Sequence, residues 1–566
     1  MKFRWRELEA GQEQVLELSR ELEVSPLISR LLVQRGLSDA ERAREFLNPR
    51  LEGLHDPGLM KGMVPAVGRI FRAIHDQEKI LIYGDYDVDG ITSTVVLKRA
   101  LEILGGRADF YIPKRLEEGY GLKKEIIEKG KTDGVSLIIS ADTGIRAFEA
   151  CQAACHLGLD LIVTDHHLPD SSLPPAYAIL NPHQIDCPYP EKNLAAVGVI
   201  FKLVHALFRR AGKEHLVRHF LKLVAIGTIA DIVPLTGENR IIVKFGLEGL
   251  SRPHNVGLRA LLSGVGLEGE IKLSDIGFRV APRINAVTRM GGGREVVELF
   301  SAQDPHLANS IVRTMNEKNS RRRQEEQRVL TEIDRRFKEN PVEFEKDFLV
   351  VAGEEWHRGV IGIVASRLVE RFYRPVLVIS TGENTGQGSG RSIPGFHLLD
   401  ALDHCRGLFE QYGGHAQAVG FTLRKNGGMA GAVQELSEQL NAYAHSRLTA
   451  EQLSPSLAID ATLPIESISF PFYDQLEQLA PFGPGNPLPV FASNKVGVMG
   501  GPWVLKEQHL KFQVRSNGSL MDAIWWKNGS AAGSIAPGLE LDLAYTLTRD
   551  TYQGEKLLLT IQDLHA

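Results

Sequence analysis

Short apolar runs alternate with longer amphipathic segments between residues 79 and 182. The runs are rich in Ile, Leu and Val, whereas the segments between them have the composition of helices. Strands are predicted at 79–83, 108–112, 137–140 and 161–164, and helices at 91–104, 122–129 and 146–157. This alternation is typical of parallel strands joined by helices that cover the sheet. The sequence therefore predicts an α/β domain built on a parallel sheet.

A charged, helix-prone segment follows from residue 306 to residue 338. Its apolar residues cluster near the two ends, and residues 321–326 form a polar middle. A helix of that length would span ~50 Å, and a polar middle is typical of a solvated connector. We therefore predict a connector helix at 306–340 that separates two domains.

The rest of the chain changes pattern twice. A second α/β unit starts at the apolar run 348–351 and extends to Gly413-Gly414-His415. From about residue 455, short alternating strands are separated by Gly, Asn and Pro turns, which favours a small β-barrel. The predicted organisation is an N-terminal helical segment (1–50), an α/β domain (51–305), the connector helix (306–340), a second α/β domain (341–450) and a C-terminal barrel (451–566).

Length and composition limit the class of protein. A chain of 566 residues with 43% hydrophobic and 24% charged residues is typical of a multidomain globular protein. The net charge of -5 gives no overall basic character, so any nucleic-acid binding must come from local patches. The first ten residues lack the apolar core of a signal peptide, and no run approaches ~20 apolar residues, so we expect a cytoplasmic protein without membrane association. The four cysteines do not make a disulfide framework.

Acidic residues follow the carboxyl ends of three predicted strands and of one later apolar segment. They are Asp85 and Asp87 after 79–83, Asp142 after 137–140, Asp165-His166-His167 after 161–164, and Asp231 further along the chain. In parallel sheets ligands bind beyond the carboxyl ends of the strands, so the strand-end side chains should converge. Oxygen-rich ligands with one imidazole favour Mn²⁺ or Mg²⁺ over zinc. Two such ions roughly 3.5–4 Å apart would support phosphoryl hydrolysis.

Each of these residues also has a structural explanation. An Asp in a strand-to-helix loop is commonly a helix cap, which accounts for any one of Asp85, Asp89 and Asp142. A His beside an Asp can be a structural pair, and Asp231 can cap a turn before Pro234. Helix capping does not account for the whole set, so a metal site is the stronger hypothesis.

Further motifs extend over nearly the whole chain. They are residues 111–115, 118–122, 180–183, 281–285, 356–367, 388–392, 413–415 and 481–487. Together with the acidic clusters, these motifs resemble the DHH phosphoesterase superfamily and, within it, the RecJ single-stranded-DNA exonucleases. The resemblance implies a DHH catalytic domain, a DHH-associated second domain and an OB-type barrel. It also implies a 5′-to-3′ exonuclease that uses Mn²⁺ or Mg²⁺ in recombination and repair.

The resemblance implies a role for each residue of the acidic clusters. The implied metal ligands are Asp87, Asp142, His166 and Asp231 for one ion, and Asp85 with a bridging Asp142 for the second. The implied catalytic residues are His167, Asp165 and Asp89. His167 would face the scissile phosphate, and Asp165 would orient His166 by binding the ring nitrogen of His166 that does not ligate the metal ion. Related small-substrate proteins carry a His where this chain has Leu81, so the ion at Asp85 is expected to bind more weakly.

Substrate-binding residues are expected in the later motifs. A turn such as Gly414-His415 can bring backbone amides close to a phosphate, and Ser389 with Arg391 could bind a terminal 5′-phosphate. The alternative is that these glycines only make turns. The family usually has Ala-Ala-Gly before Arg289, whereas this chain has Ala-Val-Thr. The full predicted set is Arg283, Asn285, Arg289, His357, Ser389, Arg391, Ser392, Gly414 and His415.

The barrel segment mixes aromatic residues with lysines. They are Trp503, Phe512, Trp525, Trp526, Lys506, Lys511 and Lys527. This mixture suits base stacking along single-stranded DNA, although at least two of the aromatic side chains are expected in the core, because Trp525 and Trp526 must face opposite sides of a strand.

Two other classes of function remain open. A phosphodiesterase of short oligonucleotides, or a pyrophosphatase, would use the same metal site but needs neither connector nor barrel. A non-catalytic replication scaffold would have no need for the complete ligand set. We therefore predict a monomeric, metal-dependent exonuclease whose partners are single-stranded DNA, a single-strand-binding protein and a RecQ-type helicase.

Overall fold

The computed structural model of the protein describes residues 3–115, 117–290, 292–382, 385–424, 428–551 and 554–565. The first elements are strand β1 (Arg4–Glu7) and helices α1 (Gln12–Leu22), α2 (Pro26–Gln34) and α3 (Ala40–Leu47). β1 pairs in parallel with Ser456–Ile459, and the three helices pack on the core of the C-terminal barrel. The segment expected to be helical therefore also contains a strand, and it packs in space with the barrel.

The predicted parallel sheet forms the centre of the first α/β domain. Its strands are β2 (Lys79–Gly84), β3 (Arg107–Tyr111), β4 (Val135–Ala141), β5 (Asp160–Thr164) and β6 (Ala178–Leu180). All five are parallel, in the order β3-β2-β4-β5-β6. Ile82 and Ile139 are fully buried because helices cover the sheet. The carboxyl ends of β2, β4 and β5 consequently lie side by side.

Helices cover this sheet and extend beyond it. They are α4 (Met63–His75), α5 (Val88–Ile103), α6 (Lys124–Thr132), α7 (Phe148–His156), α8 (Ala196–Arg210), α9 (Leu221–Ala230), α10 (Gly237–Leu250), α11 (Val256–Gly264), α12 (Leu273–Asp275), α13 (Ala281–Arg289) and α14 (Arg294–Ser301). α5 starts earlier than the predicted residue 91 because the Asp87 side chain caps it, accepting from the Gly90 amide at 3.0 Å. α9 is apolar and mostly buried, and it ends immediately before Asp231.

The predicted connector forms a single helix, α15 (Pro305–Glu339). Asp304 caps it by accepting from the His306 amide at 2.9 Å, and Pro305 occupies its first turn. Val312 at one end is buried in the core of the first α/β domain, and Ile333 at the other end is buried in the next domain. Among the described residues, no helix is both long and apolar enough to span a membrane.

The second α/β domain contains strands β7 (Leu349–Glu354), β8 (Val376–Thr381), β9 (Gly386–Arg391), β10 (Phe409–Gly414) and β11 (Ala418–Leu423), with helices α16 (Arg358–Phe372), α17 (Leu398–His404) and α18 (Met429–Arg447). The strand order is β10-β11-β9-β8-β7, and only β7 and β8 are parallel. A Cβ at Gly388 would lie 2.0 Å from the Phe421 ring. Gly388 therefore serves close packing within a strand rather than a turn. Ser389 and Arg391 project from the opposite face of β9.

The C-terminal domain is a closed barrel. Its elements are β12 (Ser456–Ile459), β13 (Ala461–Thr462), α19 (Phe470–Glu477), β14 (Phe491–Leu505), β15 (His509–Ser516), β16 (Ser519–Trp525), β17 (Glu540–Asp550) and β18 (Lys556–His565). The barrel closes because β14 pairs with both β15 and β17, while β18 joins β16 to β17. The predicted fold class of two α/β domains, a connector helix and a barrel is confirmed.

Candidate metal centre and substrate cleft

The backbone holds the predicted acidic residues at the carboxyl edge of the first sheet. The amide of each donates to a carbonyl of the neighbouring strand: Asp85 to Ala141 (3.0 Å), Asp142 to Thr164 (3.1 Å) and Asp165 to Leu180 (3.0 Å). Asp142 has a φ of 67°, which is uncommon for a residue other than glycine. Such a conformation persists only where the surrounding structure fixes it. The sheet therefore sets the positions of these side chains.

Three groups of side chains bring possible ligand atoms within 4.8 Å of one another: Asp85, Asp87 and Asp142; Asp142, His166 and His167; and Asp89, His166 and Asp231. Asp142 and His166 each belong to two groups, so the groups form one continuous cluster. Nε2 of His166 lies 3.4 Å from Oδ1 of Asp142 and 3.7 Å from Oδ2 of Asp231. Asp231 thus reaches the strand-end residues from the end of α9.

The electrostatics of the cluster fit divalent cations. Oδ1 of Asp142 is buried and accepts no hydrogen bond from any described residue. Burial, followed by the charge of Asp87, raises the pKa values of Asp85 and Asp142 well above the usual range. Burial, followed by the charges of Asp89 and Asp87, raises the pKa of Asp231 to about 9. Buried carboxylates that repel one another require positive charge nearby, and oxygen ligands of this kind bind Mg²⁺ or Mn²⁺.

The pKa values of the two imidazoles in the cluster shift in opposite directions. Burial and the charge of His167 lower the pKa of His166 to about 4, so His166 is neutral near pH 7 and able to ligate a metal ion. Burial also disfavours the protonated form of His167. The hydrogen bond to Asp165 and the charges of nearby carboxylates nevertheless raise the pKa of His167 above its ordinary value. Of the two imidazoles, His167 is therefore the one whose protonated form is favoured by its surroundings.

Asp165 orients His167 rather than His166, which corrects the assignment made from the sequence. Its Oδ1 lies 2.7 Å from Nδ1 of His167 and accepts the amides of His166 and His167 at 2.8 and 3.1 Å. Its Oδ2 accepts the amide of Ile145 at 2.9 Å. The reason is local, because the carboxylate folds back onto the next two amides and meets the second imidazole on that side.

Asp89 fixes the start of α8. Its two carboxylate oxygens accept the amides of Ala196 at 2.7 Å and Val197 at 2.8 Å, which are unpaired within the helix. Burial and the charge of Asp87 raise the pKa of Asp89 to about 7. Both oxygens are occupied, so Asp89 positions α8 beside the cluster. A direct catalytic role for Asp89 stays a prediction.

Arg289 and Arg391, two predicted substrate-binding residues, share a cluster with Arg115 and Arg322. Burial and the charges of the other three arginines lower the pKa of Arg289 to about 9. Burial and the charge of Arg115 also lower the pKa of Arg391, whose Nη1 lies 3.3 Å from Oγ of Ser389. Nε of Arg322 is buried without a hydrogen-bond partner among the described residues. An anion would stabilise this arginine cluster.

Arg115 and Arg322 were not predicted from the sequence. The middle of α15 was interpreted as solvated, but the side chain of Arg322 is only 12% exposed. The available signal was the run of three arginines at 321–323. Arg115 ends the motif at 111–115, and its guanidinium carbon lies 4.7 Å from the ring centroid of Tyr86. Because Tyr86 lies between Asp85 and Asp87, the arginine cluster borders the metal centre.

Three other predicted substrate residues make structural contacts. They are Arg283, which donates to Oδ1 of Asn316 (2.6 Å); Ser392, whose hydroxyl donates to the Phe396 carbonyl (2.8 Å); and His357, whose Nδ1 caps α16 by accepting the Gly359 amide (3.0 Å). These contacts account for the positions of the three side chains without any bound substrate. Substrate binding by them stays a prediction.

The turn at Gly414-His415 brings the second domain close to the metal centre. Gly414 has a φ of 144°, and a Cβ there would lie 2.3 Å from the Ala418 carbonyl oxygen, so glycine is required. Burial and the charges of Arg146 and His167 lower the pKa of His415. His415 therefore lies near enough to His167 for their charges to interact. Oδ1 of Asn285 is buried without a partner among the described residues.

The aromatic residues of the barrel divide between core and surface. Phe512 is fully buried and Trp525 is partly buried against the same core. Trp503 and Trp526 are 46% and 51% exposed. Trp525 and Trp526 thus differ in exposure, although β16 ends at Trp525 and Trp526 lies in the turn that follows, so the expected alternation along one strand does not apply. Trp503 and Trp526 are the aromatic side chains available for stacking on a ligand.

We expect Mn²⁺ to stabilise the first α/β domain. An ion that binds only the folded state at ~100 times its Kd contributes about 2.7 kcal/mol. Thermal unfolding followed with and without MnCl₂, after treatment with a chelator, should show a higher transition temperature with the ion. Asp231→Asn should reduce this shift, whereas the exposed control Asp133→Asn should not. An equal shift in wild type and Asp231→Asn would remove Asp231 from the ligand set.

Comparison with known proteins agrees with this architecture. The family model described as DHH family, N-terminal domain, matches residues 79–228. The DHHA1 domain matches residues 345–446, and the RecJ OB domain matches residues 459–563. The three matched regions coincide with the first sheet, the second α/β domain and the barrel.

Individual relatives extend the likeness to the whole chain. The single-stranded-DNA-specific exonuclease RecJ of Bacillus subtilis (strain 168) is 39% identical over 559 residues, covering 98% of this chain and 70% of that protein. The crystal structure of RecJ from Thermus thermophilus in complex with Mn²⁺ superimposes with a TM-score of 0.84 at 30% identity, covering all of this chain and 79% of that one. The Mg²⁺ complex of the same protein gives 0.78 at 29% identity, covering all of this chain and 78% of that one. The chain therefore belongs to the RecJ family of single-stranded-DNA-specific exonucleases.

Proposed function

We propose that this enzyme removes nucleoside 5′-monophosphates from the 5′ end of single-stranded DNA, using two Mn²⁺ or Mg²⁺ ions, in recombination and repair. The observation that carries the direction of digestion is the arginine cluster beside the metal centre. Burial and the charges of Arg115, Arg322 and Arg391 lower the pKa of Arg289, and burial with the charge of Arg115 lowers that of Arg391. A partly buried group of cations next to a hydrolytic centre fits a terminal phosphate dianion.

The terminal phosphate determines which end of the strand is digested. A 5′ end carries a phosphate in most cellular DNA, whereas a 3′ end usually carries a hydroxyl group. With the 5′-phosphate held by Arg289 and Arg391, the next phosphodiester along the strand would face the acidic cluster. Hydrolysis there would release one nucleotide at a time from the 5′ end.

The chemistry is divided among the residues of the cluster. Bound divalent cations supply an activated water and neutralise the charge that develops on the phosphate oxygens. Asp142, shared by two ligand groups, would hold both ions. His167, whose protonated form is stabilised by the hydrogen bond to Asp165, would hydrogen-bond the scissile phosphate and donate a proton to the departing 3′-oxygen. Asp165 would keep the His167 ring in that orientation.

The barrel supports a polymeric substrate rather than a short one. Trp503 and Trp526 present exposed rings, and stacking of bases on such rings tolerates any sequence. A phosphodiesterase of short oligonucleotides would gain nothing from these rings or from α15. A single-strand-binding protein and a RecQ-type helicase as partners, a monomeric state and a cytoplasmic location stay predictions from the sequence.

We expect Arg391→Ala to reduce the preference for 5′-phosphorylated DNA. A charge-assisted hydrogen bond contributes about 1.5–3 kcal/mol, which corresponds to roughly a 10- to 100-fold change. The measurement compares kcat/KM on two otherwise identical strands, one with a 5′-phosphate and one with a 5′-hydroxyl. The variant should lose activity on the phosphorylated strand and change little on the other.

Arg371→Ala is the matched control for this experiment. Arg371 belongs to the same domain, and Asp334 already pairs with its charge. The control removes one positive charge from the domain and should keep the wild-type preference. An unchanged preference in a folded Arg391→Ala variant would contradict the proposed 5′-phosphate site.

A further inference from the structure

A loop of the barrel domain contacts the segment that carries Asp231. The amide of Leu235 donates to the carbonyl of Pro484 at 2.7 Å. A Cβ built on Gly485 would lie 3.1 Å from Cβ of Pro234 and 3.3 Å from Cγ2 of Thr236. The loop at 481–487, with the sequence Pro-Phe-Gly-Pro-Gly-Asn-Pro, therefore packs closely on residues 234–236 of the first α/β domain.

The segment from Asp231 to Gly237 is not fixed by the sheet. Asp231 follows the last residue of α9, and its amide donates to the Gly227 carbonyl at 2.9 Å. Ile232 has a φ of 63° and is 70% exposed. A β-branched residue in this conformation is a backbone outlier that needs support from its surroundings. The strand-end ligands have that support from neighbouring strands. Beyond Ile232 this segment is held by its own domain, through the buried Leu235 and the Asn239 side chain that donates to the Pro234 carbonyl at 3.0 Å, and also by the barrel loop.

The loop itself is held rigidly. Asn486 is fully buried, and its Nδ2 donates to the carbonyls of Leu479 (2.7 Å) and Pro481 (2.9 Å). Its Oδ1 accepts from Nε of Arg35 at 2.7 Å. The three proline residues of the loop further restrict its conformation. It can therefore act as a fixed surface for the Asp231 segment.

A buried arginine joins the two sides of this contact. Arg240 lies on α10, directly after the Asp231 segment, and is 2% exposed. Its guanidinium donates to the carbonyls of Leu479 (2.9 Å) and Ala480 (2.8 Å), which precede the loop. Burial lowers the pKa of Arg240 to about 9. Burying a guanidinium group costs free energy, and hydrogen bonds to carbonyls of the barrel domain offset that cost here.

We infer that the 481–487 loop of the barrel domain is a positioning element for Asp231, so that this domain sets the cation affinity of the metal centre. The inference rests on the proposed function for the role of Asp231 as a ligand. Its new element is an energetic coupling between the barrel domain and the first α/β domain. Coupling of this kind is reciprocal, so cation binding at the centre must also stabilise the loop contact.

Hydrogen exchange on the unmodified protein tests this reciprocity. Exchange of peptides that cover 231–237 and 481–487 is measured after chelation and again with saturating MnCl₂. We expect the ion to slow exchange in both segments. Slower exchange in 231–237 with no change in 481–487 would overturn the inference, because the ion would then act without the barrel loop.

A pair of glycine variants tests the same coupling by mutation. Gly485→Ala adds a methyl group against Pro234, whereas Gly518→Ala adds one at a similar φ with nothing within 4 Å. Mn²⁺ affinity is measured by electron paramagnetic resonance titration, and single-stranded-DNA affinity is measured in chelator. We expect Gly485→Ala to weaken Mn²⁺ binding about five-fold or more, without a change in DNA affinity. Gly518→Ala should bind both ligands as wild type does.

The outcomes separate the inference from the proposed function. Wild-type Mn²⁺ affinity in folded Gly485→Ala would overturn the inference alone. Absence of Mn²⁺ binding in the unmodified protein would contradict the proposed metal centre itself. If Gly485→Ala does not fold, Gly483→Ala provides the same test, because its Cβ would lie 2.7 Å from Cδ1 of Leu235. Adding Leu235→Val to that variant should then restore Mn²⁺ affinity.

Discussion

The Asp142→Asn variant is expected to lose about 10³-fold or more in the rate of single-stranded-DNA hydrolysis. Asp142 is the carboxylate shared by two ligand groups, and asparagine keeps its shape but removes its charge. Loss of Lewis-acid stabilisation costs several kcal/mol, and each ~1.4 kcal/mol is tenfold in rate. The measurement is the initial rate of nucleotide release at saturating Mn²⁺, with the thermal shift caused by Mn²⁺ measured in parallel.

The metal-free stability of this variant distinguishes lost catalysis from lost folding. Burial and neighbouring carboxylates raise the pKa of Asp142, so its replacement by a neutral side chain should not destabilise the protein in chelator. Asp133→Asn is a matched control, because Asp133 is exposed near the opposite end of β4. Wild-type activity in Asp142→Asn would exclude Asp142 as a metal ligand.

The Asp165→Asn variant is expected to lose about 100-fold in kcat while keeping most of its Mn²⁺ affinity. Both oxygens of Asp165 accept hydrogen bonds from N–H donors, so the NH₂ group of asparagine must face a donor. His167 would lose its fixed orientation. Residues that orient catalytic or metal-bound groups typically contribute 10- to 100-fold, so about 100-fold is the expected loss.

Separate measurement of kcat, KM and Mn²⁺ affinity decides the role of Asp165. A fall in kcat alone is the result expected for a residue that orients His167. Asp170→Asn serves as control, since Asp170 lies three residues after His167 and pairs only peripherally with Arg146 at 3.3 Å. Loss of Mn²⁺ affinity equal to the loss of kcat would mean that Asp165 acts through the metal ligands instead.

The convergence of the strand-end residues was predictable from the sequence. Asp85, Asp142 and Asp165 each follow an apolar strand, and parallel strands in a helix-covered sheet end at the same edge. The connector was predictable as well, because its apolar residues at both ends and its polar middle favour one long helix. Local sequence patterns were sufficient for these predictions, because each strand and the long helix are encoded by residues that are close together in the sequence.

Contacts between distant parts of the chain were not predictable in the same way. The pairing of Asp165 with His167 depends on a turn geometry that residue order alone does not distinguish from pairing with His166. Composition favoured a solvated Arg322, but its side chain is only 12% exposed. The pairing of β1 with β12 joins residues 4–7 to residues 456–459, which are far apart in the sequence. Such features depend on the relative placement of domains, which no local periodicity encodes.

End-labelled single-stranded DNA distinguishes metal-dependent digestion from the 5′ end from every other mode of cleavage. Long strands labelled at the 5′ or the 3′ end are incubated with Mn²⁺, Mg²⁺ or chelator, and the products are resolved over time. We expect the 5′ label to appear at once as mononucleotide, only with a divalent ion, while the 3′ label stays on progressively shorter strands. Immediate release of the 3′ label, or cleavage of short oligonucleotides only, would contradict digestion of long strands from the 5′ end.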